Sequence, residues 1–194
     1  MTQAKKTRKQ EILDAALECF TENGIEATTI DMIRERSGSS VGSMYHHFGS
    51  KEAIAAALFT DALAGHNEYQ RQLLSAARNA EEGVKAIVHA YVDWVSAHPV
   101  QARFVLYSRS ALAKSDMGGE LAAHSKTQLQ EVLRWFEPHI EAGTLKRLPK
   151  ECYSSLITGA SHDYARLWLS GRVKSDIKAY RDIFAEAAWN SVKG

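Results

Sequence analysis

Apolar residues recur along most of this chain at intervals of three and four, and no segment alternates at a spacing of two for long. That periodicity belongs to helices with one buried face, and it predicts an all-α fold of about nine helices. The first covers "RKQEILDAALECFTENG", where Ile12, Ala16 and Phe20 form a stripe flanked by Leu13 and Leu17. Gly24 follows the stripe and suits a helix terminus, because a left-handed φ is cheap without a Cβ. The second helix opens at "TTID", with Thr28 as the expected N-cap and Asp31 completing a capping box. Ile30 and Ile33 then face inward for about two turns, up to Ser37-Gly38. Ser40 is the next cap candidate, ahead of a short third helix from Val41 to Phe48.

Longer periodic segments fill the rest: "KEAIAAALFTDALAGHNEYQRQLLSA", "AEEGVKAIVHAYVDWVSAH" up to Pro99, and "VQARFVLYSRSALA" up to Gly118-Gly119. "LAAHSKTQLQEVLRWFEPHIEA" follows, with Pro138 expected to end or kink it, then "KECYSSLITGASHDYARLWLSG" and "DIKAYRDIFAEAAWNSV". No internal repeat is visible.

Two short capped helices joined by a glycine turn, Thr28 to Phe48, make a helix-turn-helix. The third helix has the composition of a groove reader. Ser39, Ser40, Gly42 and Ser43 are small, so the backbone at its start can approach a duplex, and their hydroxyls can serve phosphates or base edges. Gly42 costs about 1 kcal/mol of helix propensity against alanine, a cost that close approach to a ligand would offset. Phe48 can anchor the helix to Leu13, Leu17 or Ile33, while Tyr45 and His46 carry polar tips outward.

The stretch "ATTIDMIRERSGSSVGSMYHHFGSKEAI" resembles the DNA-binding signature of the TetR family of bacterial repressors, with small, apolar, aromatic and charged positions all in register over about residues 8 to 54. The resemblance implies an N-terminal helix-turn-helix domain, residues 1–50, followed by a helical effector and dimerisation domain, residues 51–194. It implies that Thr28 and Thr29 contact phosphates, and that Ser39, Ser40, Val41, Gly42 and Ser43 form the groove-facing start of the third helix. Tyr45 and His46 would touch the DNA backbone, and Lys51 would clamp a phosphate at the fourth helix's N-terminus. Two positions depart from the family pattern. Ser39 stands where valine is frequent, weakening an apolar anchor, and Val41 stands where lysine, arginine or proline is frequent, so contact with a thymine methyl replaces a guanine contact.

For the remainder, the resemblance implies an effector pocket in helices four to eight and a dimer interface from helices eight and nine. Read on their own, Tyr91, Trp94, Phe104, Tyr107, Trp135 and Phe136 supply aromatic walls, and Arg103, Arg109, His89 and His162 are candidate polar groups. The ligand-contact candidates are therefore Tyr91, Trp94, Phe104, Tyr107, Trp135 and His162. In "SLITGASHDYARLWLSG", Ser155, Gly159 and Ser161 or His162 would let one face meet a symmetry mate. Tyr153, Leu156, Ala160, Tyr164, Leu167 and Trp168 would then pack within the chain. The expected assembly is a homodimer through about residues 151–192, binding a palindromic double-stranded operator and released by a small-molecule effector.

Composition narrows the alternatives. The 194 residues carry a net charge of only +1, but Lys5, Lys6, Arg8 and Lys9 make a basic arm ahead of seven acids between Glu11 and Glu35. There is no apolar leader or eighteen-residue apolar run, and Cys19 and Cys152 lie far apart, so a cytoplasmic protein with reduced thiols is expected. The eight histidines show no metal-ligand spacing, and GxSxG, Walker and dinucleotide motifs are missing. No enzyme, cofactor or metal is expected. The competing expectation is an all-helical scaffold whose helix-turn-helix meets protein instead of DNA.

Overall fold

The computed structural model describes residues 7–194. Among them lie nine α-helices and no strand: α1 (Arg8–Ala27), α2 (Ile30–Ser37), α3 (Val41–Phe48), α4 (Lys51–Ala76), α5 (Ala80–Ala97), α6 (Pro99–Ala113), α7 (Gly118–Glu141), α8 (Lys150–Leu169) and α9 (Arg181–Val192). A 3-10 turn, Ile177–Tyr180, precedes α9. The basic arm lies partly outside the described residues, which begin after Lys5 and Lys6. Arg8 pairs with Glu11 at 2.8 Å, and the Lys9 ammonium stands 5.8 Å from the Phe48 ring centre.

The chain packs as two units. The first holds residues up to Ala62 together with Arg103–Ala123, so it borrows most of α6. Its core is the stripe Ile12, Leu13, Ala16, Cys19 and Phe20 against Ile33, Met44, Ile54 and Phe59. Phe104 joins this core and stacks on Phe20 with ring centres 5.9 Å apart. The second unit holds Leu63–Ala102 and His124–Gly194, where α5, α8 and α9 pack on one another. An almost wholly buried α5 face of Val84, Ile87, Val88, Tyr91, Val92 and Val95 forms its centre. Asp93 on α5 takes a forked bond from Arg181 at the start of α9, at 3.0 and 3.1 Å, and both side chains are largely withdrawn from solvent.

Local signals account for most helix ends. Thr7 caps α1, Ser40 caps α3 and Asn79 caps α5, each hydroxyl or amide oxygen accepting a backbone N–H three residues on. Gly24 has φ 78°, a conformation costly for any other residue, and it kinks the chain so that Ile25–Ala27 turn separately. Pro138 does not end α7, which continues to Glu141; its place in the last turn leaves little helix for it to break.

One expected cap moves by a residue. Thr29, not Thr28, caps α2, its hydroxyl accepting from the Met32 N–H at 3.2 Å. Thr28 is fully buried and donates its hydroxyl hydrogen toward the Cys19 and Gly24 carbonyls, at 3.1 and 2.7 Å. Asp31 completes no capping box; it pairs with Arg34 at 3.1 Å.

Candidate nucleic-acid interface and effector site

The helix-turn-helix is held from below and open above. Met44 is the buried residue of α3, and it faces a core that Ile33 and α1 also line. Around it Ser40, Val41, Gly42, Tyr45, His46 and His47 are exposed, Tyr45 by 53%. A Cβ placed on Gly42 would meet nothing within 4 Å, so packing within the fold does not require glycine here. Ser40 accepts from the Ser43 N–H at 3.1 Å, which leaves its own hydroxyl hydrogen for an external acceptor.

The electrostatics agree. From Ser37 to Lys51 the sequence carries no acid. The acids of α1 are partly neutralised within the domain, since Arg36 reaches Glu22 at 2.8 Å and Glu18 at 3.6 Å. Arg34 is likewise held by Asp31 and Glu35. The α2 arginines therefore balance local carboxylates, and the α3 face presents hydroxyls, imidazoles and backbone N–H groups without a competing negative charge.

Three expected DNA contacts are placed elsewhere. Thr28 is buried, with its hydroxyl engaged by the Cys19 and Gly24 carbonyls. Ser39 is also buried, and its Oγ has no partner. Lys51 opens α4, but its ammonium donates to the Thr28 and Glu26 carbonyls at 2.8 and 3.3 Å. Those carbonyls belong to the exit from α1, where the helix dipole favours a cation. Thr29, Ser40, Val41, Gly42, Tyr45 and His46 are exposed and Ser43 is half-buried.

The six aromatic and imidazole candidates for ligand contact divide. Tyr91, Trp94 and His162 come together in the second unit, around a residue that periodicity did not single out, His66 of α4. The His66 ring centre lies 5.5 Å from Trp94 and 6.2 Å from Tyr91, and the Tyr91 ring lies 4.2 Å from His162. Trp135 stands apart, between Phe136 and His139 and against the Cβ-free face of Gly83. A Cβ on Gly83 would lie 2.0 Å from the indole, so this glycine is a close-packing position. Phe104 is committed to the core of the first unit, and Tyr107, 56% exposed, joins neither cluster. His89 turns toward α9, with Nε2 3.1 Å from an Asp182 carboxylate oxygen.

On α8 the buried stripe is Tyr153, Ile157, Ser161, Ala165 and Leu169. Leu156 and Ala160, expected to pack within the chain, are exposed, while Ser161 is inside and donates to the Thr158 carbonyl at 2.9 Å. Among the described residues no cluster of His, Cys, Asp or Glu has the makings of a metal site, and no helix is long and apolar enough to cross a membrane.

These features define an all-helical protein with an N-terminal helix-turn-helix whose third helix is exposed. Residues 12–58 match the model of the bacterial regulatory proteins, tetR family. The HTH-type transcriptional repressor AcnR of Corynebacterium efficiens is 46% identical over 50 residues, 26% of this chain and 27% of that protein. The HTH-type transcriptional repressor KstR2 of Rhodococcus jostii is 32% identical over 99 residues, 50% of this chain and 47% of that one. The chain thus spans between a quarter and a half of the length of these relatives. Over the full fold, a crystal structure of a regulatory protein in the tetR family from Rhodococcus RHA1 superposes with a TM-score of 0.81, covering 97% of this chain and 98% of that one at 23% identity.

Proposed function

We propose that this chain is a cytoplasmic transcriptional repressor that binds a palindromic DNA operator as a homodimer and is released by a small-molecule effector. The observation that carries the reading is α3: an exposed, acid-free helix with a small-sided start, seated on the core through Met44. Ser40, Val41, Gly42 and Ser43 read the major groove, with the Val41 side chain against a thymine methyl. Thr29, Tyr45 and His46 contact the sugar-phosphate backbone. Thr28, Ser39 and Lys51 are left out of the interface because the fold uses them.

The dimer forms through α8 and α9. Leu156 and Ile183 are exposed by 41% and 64% on these helices, and small residues flank them at Gly159, Ala160 and Ala187. An isologous contact across these positions covers the apolar surface and pairs two reading helices. The effector enters the cluster of His66, Tyr91, Trp94 and His162. His66 stands on the same unbroken helix that opens with Lys51, directly after α3, so a ligand that moves α4 alters the pose of the reading helix. Two reading helices must sit in grooves about 34 Å apart, and a few ångströms of displacement ends simultaneous docking.

Titrating a labelled duplex pool at increasing salt tests the DNA-binding core of this reading. Each neutralised phosphate contributes about 0.9 to the slope of log K against log salt. A slope of several units supports the repressor. Retention that ignores salt, or no retention in dilute buffer, favours a protein-binding scaffold and overturns it.

A further inference from the structure

Two polar atoms of the ring cluster in the second unit have no partner. His66 Nε2 and the Tyr91 hydroxyl are both buried and make no hydrogen bond within the protein. Tyr91 is 7% exposed, and nothing around its oxygen replaces the water it has lost. Buried polar groups are nearly always satisfied in native proteins, so two orphans in adjacent rings mark a place for an external partner. The other nitrogen of His66 fixes the chemistry. Nδ1 lies 3.1 Å from the Asn67 side-chain oxygen, which only accepts, so Nδ1 carries the hydrogen and Nε2 presents a lone pair.

We infer that this cluster binds an uncharged ring compound bearing a hydroxyl group, which donates to His66 Nε2 and accepts from the Tyr91 hydroxyl. The inference rests on the reading of the cluster as the effector site. Three features select that class. The site pairs one acceptor with one hydroxyl, and a ligand O–H is donor and acceptor in one atom. Burial holds His66 below its ordinary titration range and Tyr91 above its own, so neither supplies a charge to offset a carboxylate or an ammonium. The neighbouring rings, Trp94 tilted at 65° to His66 and the exposed His162 at 55° to Tyr91, offer faces and edges that suit a flat or cyclic guest.

The test is calorimetric titration of the full chain with four probes of one ring size: 2-naphthol, 2-methoxynaphthalene, 2-acetylnaphthalene and 2-naphthoate at pH 7.5. 2-Naphthol is expected to bind about tenfold or more tighter than the methoxy and acetyl compounds, with naphthoate the weakest. In His66→Phe, shown folded by circular dichroism, the preference for naphthol over its methyl ether should collapse to within about threefold. Tyr91→Phe should weaken naphthol and its methyl ether alike, since the oxygen of each can accept from the Tyr91 hydroxyl, and leave the preference between them in place. Equal affinity for naphthol and ether, preference for the acetyl compound, a preference that survives His66→Phe, or no binding of naphthol each overturns the inference. A duplex-release assay with the same probes separates the two levels. Hydroxyl-selective binding without any effect on DNA leaves the inference standing and removes the effector reading. DNA release by a different ligand class, with naphthol unbound, does the reverse.

Discussion

Replacing Lys51 with methionine separates two physical roles for one cation. Methionine keeps most of the aliphatic stem, so the change removes the ammonium and little packing. That ammonium donates to the Thr28 carbonyl at 2.8 Å and to the Glu26 carbonyl at 3.3 Å, both at the exit from α1. A hydrogen bond to a charged group contributes about 1.5–3 kcal/mol when well formed; the second contact is long, and a half-buried lysine keeps part of its hydration. The expected loss is therefore about 1–2 kcal/mol, which for a chain of this size lowers Tm by about 2–8 °C. The competing role, a phosphate clamp, has a different signature. One phosphate per subunit would reduce the salt slope of duplex binding by about 0.9, or about 1.8 for a dimer. Thermal melting and a salt titration of the same variant decide the matter: Tm should fall and the slope should stay within about 0.5 of the parent. A slope reduced by about 1.8 would refute the reasoning, whatever the change in Tm.

Three further outcomes follow from the same geometry. Gly42→Leu should leave circular dichroism and Tm unchanged or slightly raised, because the added side chain meets nothing and helix propensity improves by up to about 1 kcal/mol; duplex affinity should drop at least about a hundredfold by anisotropy titration. Ser39→Ala removes a buried hydroxyl that has no partner, so urea unfolding should show a gain of about 1 kcal/mol with duplex affinity unaltered. Burial holds the His66 imidazole below its ordinary value of 6.5, so between those two values the unfolded chain takes up a proton that the folded chain refuses. Its contribution is complete above pH 6.5 and declines as pH falls toward the folded value; melting between pH 7.5 and 5.5 should show Tm decreasing, and His66→Gln should make that decrease shallower.

The elements of this fold were legible because helices advertise themselves locally. Three- and four-residue spacing located all nine, and Ser40 and Gly24 marked real boundaries. Thr28 and Thr29 show where local reading stops. Either hydroxyl can cap a helix, and the choice falls to Thr29 because Thr28 is drawn back to the Cys19 carbonyl nine residues earlier. Ser161 is similar: a small polar residue looks like surface, yet it sits inside because its hydroxyl is satisfied by the Thr158 carbonyl on its own helix.

The site was half legible for the same reason. An exposed face of serine, glycine and tyrosine is a property of one short helix, so the exposure of Ser40, Val41, Gly42, Tyr45 and His46 could be read from α3 alone. A ring cluster is a property of three helices together. Phe104 and Tyr91 look alike in sequence, but the first meets Phe20 and the second meets His66 and His162. Periodicity says which residues share a face and nothing about which helix that face meets. His66 gave no signal of its own: it stands between Gly65 and Asn67, and its ring partners Tyr91 and Trp94 arrive from α5.

Enriching bound fragments from random double-stranded DNA tests the paired, groove-reading α3 most directly. The account predicts inverted repeats whose half-site centres lie about one helical turn, roughly 34 Å, or a multiple of it apart, lost when Gly42 becomes leucine. Enrichment of no sequence, or of single half-sites without a symmetric mate, would contradict it.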